Sequence, residues 1–137
     1  MAAHTPILVA EDDEDDVFLM KISVEKTGLP NPLMIARDGQ EVVDYLEGNP
    51  PFNDRVLFPL PGLLVLDLKM PRMNGFDVLA WLGERPEVKL PVVVLSSSRL
   101  EADVRVALRM GALDYFVKPQ RSEQLTDLLR DLSARWL

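Results

Sequence analysis

The stretch Leu63-Leu64-Val65-Leu66-Asp67-Leu68-Lys69-Met70-Pro71-Arg72-Met73-Asn74-Gly75 constrains this chain more than any other. Four apolar residues in succession, Leu63 to Leu66, suit a strand buried on both faces, since a strand with one wet face would alternate. A carboxylate follows at once, then a loop broken by Pro71 and Gly75. An apolar run that ends in an acid puts that acid at the C-terminal edge of a parallel sheet. Open α/β folds keep their reactive groups there, because loops leave the strands for helices at that edge. Aspartate also caps loops and helices, so Asp67 alone leaves both readings open.

The remaining segments repeat the pattern. Ile7–Ala10 reads as a first strand, followed by six acids in a row, Glu11 to Asp16, and an amphipathic segment from Val17 to Lys26. Acids in the first turn of a helix interact favourably with its dipole, which accounts for Asp13 to Asp16 without any function. Glu11 and Asp12 are harder to explain so. They lie at the same sheet edge as Asp67 and would repel it unless a cation intervened. Gly28-Leu29-Pro30 ends the first helix, Leu33–Ala36 is a second strand, Arg37-Asp38-Gly39 a turn, and Gln40 to Leu46 a short helix.

Gly48 to Gly62 holds four prolines and cannot be regular structure; Phe52, Val56, Leu57 and Phe58 within it imply that it packs down on the domain. Beyond Asp67, helical spacing runs from Gly75 to Glu84. Leu90 to Leu95 forms a fourth strand that runs into Ser96-Ser97-Ser98, and Leu100, Val104, Ala107 and Leu108 form a helical stripe. Asp114–Val117 is a fifth strand followed by Lys118-Pro119. Ser122 is the expected N-cap of a last helix whose stripe is Leu125, Leu128, Leu129, Leu132 and Trp136.

Five strand–helix units without a repeat or linker predict a single domain, residues 1–137, of the flavodoxin-like (βα)5 doubly wound class. Right-handed crossovers give a parallel sheet of order 2-1-3-4-5, in which strands 1 and 3 meet at the switch point and Asp12 faces Asp67. Composition narrows the chemistry. With no cysteine and one histidine, His4, the chain has no thiolate metal site, and a Ser/His/Asp triad is not expected. A net charge of −7 argues against non-specific nucleic-acid binding. No apolar run reaches membrane-spanning length. Residues 1–6 carry no basic or signal-like segment and read as a flexible tail, so a cytoplasmic location is expected.

Four strand ends thus carry polar residues: Glu11 with Asp12, then Asp67, Ser96 and Lys118. Three carboxylates together make a hard oxygen pocket of the kind Mg²⁺ accepts alongside water and phosphate, and Mn²⁺ can take the same place. A carboxylate is also a competent phosphoryl acceptor. The transferring group needs its equatorial oxygens held: one by the metal, one by Lys118, and a third by Ser96 with the backbone N–H of Ser97.

These residues resemble the receiver domains of two-component response regulators, over roughly Ile7 to Leu132. The resemblance is carried by the acid pair after strand 1, by Asp67 with Met70-Pro71 and Gly75, by Ser96, and by Lys118-Pro119. It implies that Asp67 is the phosphoacceptor. Asp12 would ligate Mg²⁺ directly, Glu11 through water, and Lys69 by its backbone carbonyl. Ser96 would be the switch hydroxyl, Tyr115 the aromatic switch residue, and Lys118 the phosphate contact, with a cis Lys118–Pro119 peptide.

The donor implied is a sensor histidine kinase, and the long proline-rich loop is similar to that of the small receivers serving bacterial phytochromes. With the last helix ending at Trp136-Leu137, no output domain is expected. A homodimer through helix 4, strand 5 and helix 5 is one expected mode of action. Two rivals fit less well. An aspartate-nucleophile phosphohydrolase would carry a second aspartate where Lys69 stands, and a flavin-phosphate binder would not place six acids after strand 1. A receiver used only for phosphorylation-independent docking would not need the full residue set.

Overall fold

The computed structural model describes residues 4–137. Its strands form where the apolar runs fall: β1 Ile7–Ala10, β2 Leu33–Ala36, β3 Leu63–Leu66, β4 Val92–Ser96 and β5 Asp114–Val117. All pair in parallel in the order β2-β1-β3-β4-β5, with Ala10 in register with Ala36 on one side and Leu66 on the other. The helices between them are α1 Glu14–Thr27, α2 Gly39–Glu47, α3 Gly75–Gly83, α4 Glu101–Arg109 and α5 Ser122–Trp136. The fold is the flavodoxin-like arrangement expected from the alternation of elements.

Burial on both faces splits each central strand by residue parity. Leu64, Leu66, Val92 and Val94 join Val42, Val78, Leu79 and Ala107 on the α2, α3 and α4 side. Ile7, Val9, Leu63, Val65, Val93 and Leu95 join Met20, Val24, Leu125, Leu129 and Leu132 on the α1 and α5 side. Side chains alternate across a strand, so continuous apolar runs feed two cores at once. Burying one such leucine is worth roughly 1.5–3 kcal/mol, and this is what holds the strand ends in place.

Local differences from the sequence reading have physical causes. The first helix begins at Glu14, with Glu14 to Asp16 in its first turn, and Asp13 stands outside as its cap, accepting from Asp16 N–H at 2.9 Å. Strand β4 begins at Val92, since Pro91 has no N–H to give, although its carbonyl accepts from Leu64 N–H. Ser122 does not cap α5. Its hydroxyl accepts from Lys26 Nζ at 2.9 Å, which helps fasten α1 to α5. Nor is the α4 stripe a buried one: Ala107 is buried, while Leu100 and Leu108 face solvent. Residues 1–3 of the expected tail lie outside the described residues. Thr5 and Pro6 are held, their carbonyls accepting from Asn31 Nδ2 and Gly62 N–H.

The proline-rich loop packs down through only part of its apolar set. Phe52 and Phe58 close on Tyr45 of α2, with ring centroids 5.2 and 6.0 Å away, and Tyr45 Oη–H donates to Pro59 O. Arg55 donates to Tyr45 O and Leu46 O in the last turn of α2, joining the Gly48 N–H that already reaches Tyr45 O. Val56 and Leu57, expected to pack, remain exposed at 87% and 64%. Two aromatic rings suffice to anchor the loop, so its tip has nothing left to bury against.

Candidate phosphoacceptor and metal site

Backbone bonds carry the ladder one residue past the strand ends and so fix the start of each loop. Glu11 N–H donates to Ala36 O, Asp67 N–H to Ala10 O, and Lys118 N–H to Ser96 O, at 2.9, 3.2 and 2.9 Å. Chain segments far apart in sequence therefore present their next side chains at one edge. Glu11, Asp12 and Asp67 each offer a carboxylate oxygen, and these oxygens lie within 4.8 Å of one another. Glu11 and Asp67 are buried and Asp12 is exposed.

Lys118 reaches into this cluster, with Nζ 2.6 Å from Glu11 Oε1 and 2.8 Å from Asp67 Oδ2. A third contact, 2.8 Å to Asp16 Oδ2, was not anticipated from sequence. Asp16 was hidden in the acidic run and assigned to the helix dipole.

The electrostatics follow from burial and crowding. Burial pushes the Glu11 carboxyl up to about 7; the hydrogen bond from Lys118 pulls it back, and the neighbouring Asp67 pushes it further up. Burial would lower the Lys118 ammonium, but the carboxylates of Asp16, Asp67 and Glu11 outweigh it and hold the lysine charged above its usual range. Among the described residues Asp67 Oδ1 meets only Lys69 N–H, at a long 3.4 Å, and so has spare acceptor capacity. A set of three oxygens, two of them buried, with one acid held close to protonation by burial and by the neighbouring Asp67, fits a hard divalent cation. A cation there would offset the repulsion that raises Glu11.

The loop from β3 to α3 is held from two sides. Gly75 N–H donates to Leu68 O at 3.0 Å, and a Cβ at Gly75 would run into Asp67 O and come within 2.8 Å of Leu68 Cα. Asn74 and Asp77 form a reciprocal capping box that starts α3. Arg72, in the left-handed region at φ 61°, donates to Asp38 Oδ2 at 2.7 Å, and Gly39 N–H donates to Met73 O. Burial of Asp38 alone would raise its pKa; Arg72 and the amides of Glu41 and Gln40 hold it below the usual range.

On the other side of Asp67, Ser96 is fully buried and its Oγ accepts from Ser98 N–H at 3.2 Å. Ser97 is exposed beside it. Tyr115 is half-buried and its hydroxyl donates to Ser98 O at 2.8 Å, while Ser98 Oγ donates to Asp103 at 2.6 Å. Ser98 thus joins Ser96 to Tyr115, a linkage sequence spacing does not reveal. One expectation is corrected. The Lys118–Pro119 peptide is trans, and the cis bond among the described residues joins Pro50 to Pro51. An X–Pro bond favours trans by only about 0.5–1 kcal/mol, so surrounding structure decides the isomer and the dipeptide itself does not.

A doubly wound α/β domain with an oxygen cluster and a lysine at its switch point defines a class: proteins that handle a cation and an anionic group at the strand ends. The profile of the response regulator receiver domain matches residues 7–130, and this chain belongs to that family. Rcp1 of Synechocystis sp. is 30% identical over 132 residues, spanning 96% of this chain and 88% of Rcp1. The Mn²⁺-bound structure of Rcp1 aligns with TM-score 0.81 at 28% identity, over 95% of this chain and 92% of that one. RPA3017, a response regulator in red light signalling of R. palustris, aligns with TM-score 0.89 at 30% identity over 97% and 94% of the two chains. The phosphorylated cyanobacterial phytochrome response regulator RcpA gives 0.85 at 30% identity over 98% and 94%. Among the described residues no helix is long and apolar enough to cross a membrane.

Proposed function

We propose that Asp67 accepts a phosphoryl group from a sensor histidine kinase. The observation that carries this reading is the Lys118 ammonium 2.8 Å from Asp67 Oδ2, beside a cluster of three carboxylates. A carboxylate oxygen of Asp67 forms the new bond to phosphorus as the bond to the donor's histidine nitrogen breaks. The electron pair leaves with the imidazole, which takes up a proton. Glu11, Asp12, Asp67 and the Lys69 carbonyl would hold Mg²⁺ or Mn²⁺, which when bound would supply positive charge for the phosphoryl oxygens. Lys118 pairs with a second oxygen, and the Ser96 hydroxyl with the Ser97 N–H takes a third.

The signal then passes through Ser98. If Ser96 turns toward the phosphoryl group, its Oγ leaves the Ser98 N–H. The same residue's carbonyl holds the Tyr115 hydroxyl, so the tyrosine is released to turn inward. Output is by protein binding. Leu100 just before α4, Val106 and Leu108 within it, Leu113 before β5, and Trp136 and Leu137 at the end of α5 are all exposed, which supports a homodimer through the α4–β5–α5 surface. The charge of −7 fits protein partners better than nucleic acid. Likeness to Rcp1, RcpA and RPA3017 favours a phytochrome-type kinase as donor in the cytoplasm.

Intact mass after treatment with acetyl phosphate and Mg²⁺ tests the acceptor: the native chain gains one phosphoryl group and Asp67→Asn gains none. Equal labelling of the two would end the assignment. Light scattering across a concentration series tests the dimer, and a mass fixed at one chain before and after phosphorylation would remove it.

A further inference from the structure

An ammonium has three N–H donors and no more. Lys118 faces three carboxylates, donating to Asp16 Oδ2 and Asp67 Oδ2 and ion-pairing with Glu11 Oε1. Two of those acceptors, Glu11 and Asp67, also belong to the oxygen cluster suited to a cation; Asp16 does not. Glu11 and Asp67 would turn their oxygens to a cation held there, and Asp67 would then carry the phosphoryl group. Each event loosens a contact that now holds the lysine. The Lys118 side chain is a flexible four-carbon stem, so holding its ammonium in one place costs rotamer entropy.

The third contact is of a different kind. Asp16 lies in the first turn of α1, its N–H bonded to Asp13 Oδ1 at 2.9 Å, so its backbone is fixed by the helix cap. Its carboxylate sits at the rim of the site, 39% exposed, and reaches Lys118 across 102 positions of sequence. It does not cap α1, a task Asp13 performs.

We propose that Asp16 is a positioning residue for Lys118, holding the ammonium over Asp67 while the cation and the phosphoryl group take the other two carboxylates. One N–H stays on Asp16 and two become available to phosphoryl oxygens. Asp16 touches no reacting atom and acts only through the lysine. The inference rests on Asp67 being the phosphoacceptor.

The test is a double-mutant cycle read by intact mass, using acetyl phosphate at saturating Mg²⁺. Asp16→Ala should slow phosphorylation of Asp67 roughly tenfold, within the penalty that misplacing an assisting group can carry. Asp16→Asn, which keeps an oxygen acceptor without the charge, should fall between. In a Lys118→Met background, Asp16→Ala should change the residual rate less than twofold, because the residue it positions is gone. A general loss of structure would slow labelling in both backgrounds alike, so that result refutes the proposal, as does native-like labelling of Asp16→Ala. Failure of the native chain to take phosphate would instead bring down the acceptor assignment and this inference with it.

Discussion

Glu11→Gln should make the cation-free protein more stable while weakening its hold on Mg²⁺. Glu11 is 5% exposed and its carboxyl is pushed up to about 7, against 4.5 for a free side chain, with burial the largest cause. A group whose proton is held more tightly in the fold contributes stability that is complete below pH 4.5 and is lost as pH rises through 7. Each tenfold in proton affinity is about 1.4 kcal/mol, so the ionised carboxylate opposes folding by about 3 kcal/mol above pH 7. Glutamine copies the protonated acid in size, neutrality and acceptor oxygen. The substitution should therefore stabilise by about 2–3 kcal/mol at pH 8 in EDTA, a rise of roughly 5–10 °C in Tm.

Urea denaturation at pH 4, 5, 6, 7 and 8 would measure this gain, which must grow from near zero at pH 4 and level off above pH 7. Excess Mg²⁺ should narrow the gap between the two proteins. Native protein gains about 2.7 kcal/mol when the cation stands at a hundred times its Kd, and the variant gains less. A gain independent of pH, or a variant less stable than native at pH 8 without cation, would refute the account of Glu11 as a residue kept for binding at a cost in stability.

Three further outcomes follow from the same geometry. Mg²⁺ affinity of the native protein should rise from pH 6 to 8 and level off above, because Glu11 must first lose its proton; titration calorimetry in buffers of different ionisation enthalpy would count the release. Gly75→Ala forces a methyl group against Asp67 O and Leu68 Cα and should destabilise by about 1–3 kcal/mol, with phosphorylation slowed more than the stability loss explains. Arg55→Ala removes donors from Tyr45 O and Leu46 O and should cost about 1–3 kcal/mol by denaturation while leaving acetyl phosphate labelling of Asp67 unchanged.

Strand positions were legible because each central strand is apolar on both faces, a signature that parallel burial imposes on neighbouring residues and that needs no tertiary information. The placement of Glu11, Asp67, Ser96 and Lys118 at strand ends was legible for the same reason. Sheet order then followed from the handedness of crossovers, and with it the meeting of Asp12 and Asp67. What the chain could not disclose was which of six consecutive acids point inward. Asp13, Asp15 and Asp16 are chemically alike, and only the turn of α1 aims Asp16 at Lys118 while Asp13 caps the helix.

The isomer of Lys118–Pro119, the exposure of Val56 and Leu57, and the diversion of the Ser122 hydroxyl to Lys26 belong with Asp16. Each depends on partners far away in sequence. The primary structure by itself determined which segments are buried and so which residues stand at the sheet edge, because burial leaves a local periodic trace. Only the tertiary structure decided the pairings at that edge, because a hydrogen bond or ion pair of 2.8 Å across 102 positions leaves no local trace.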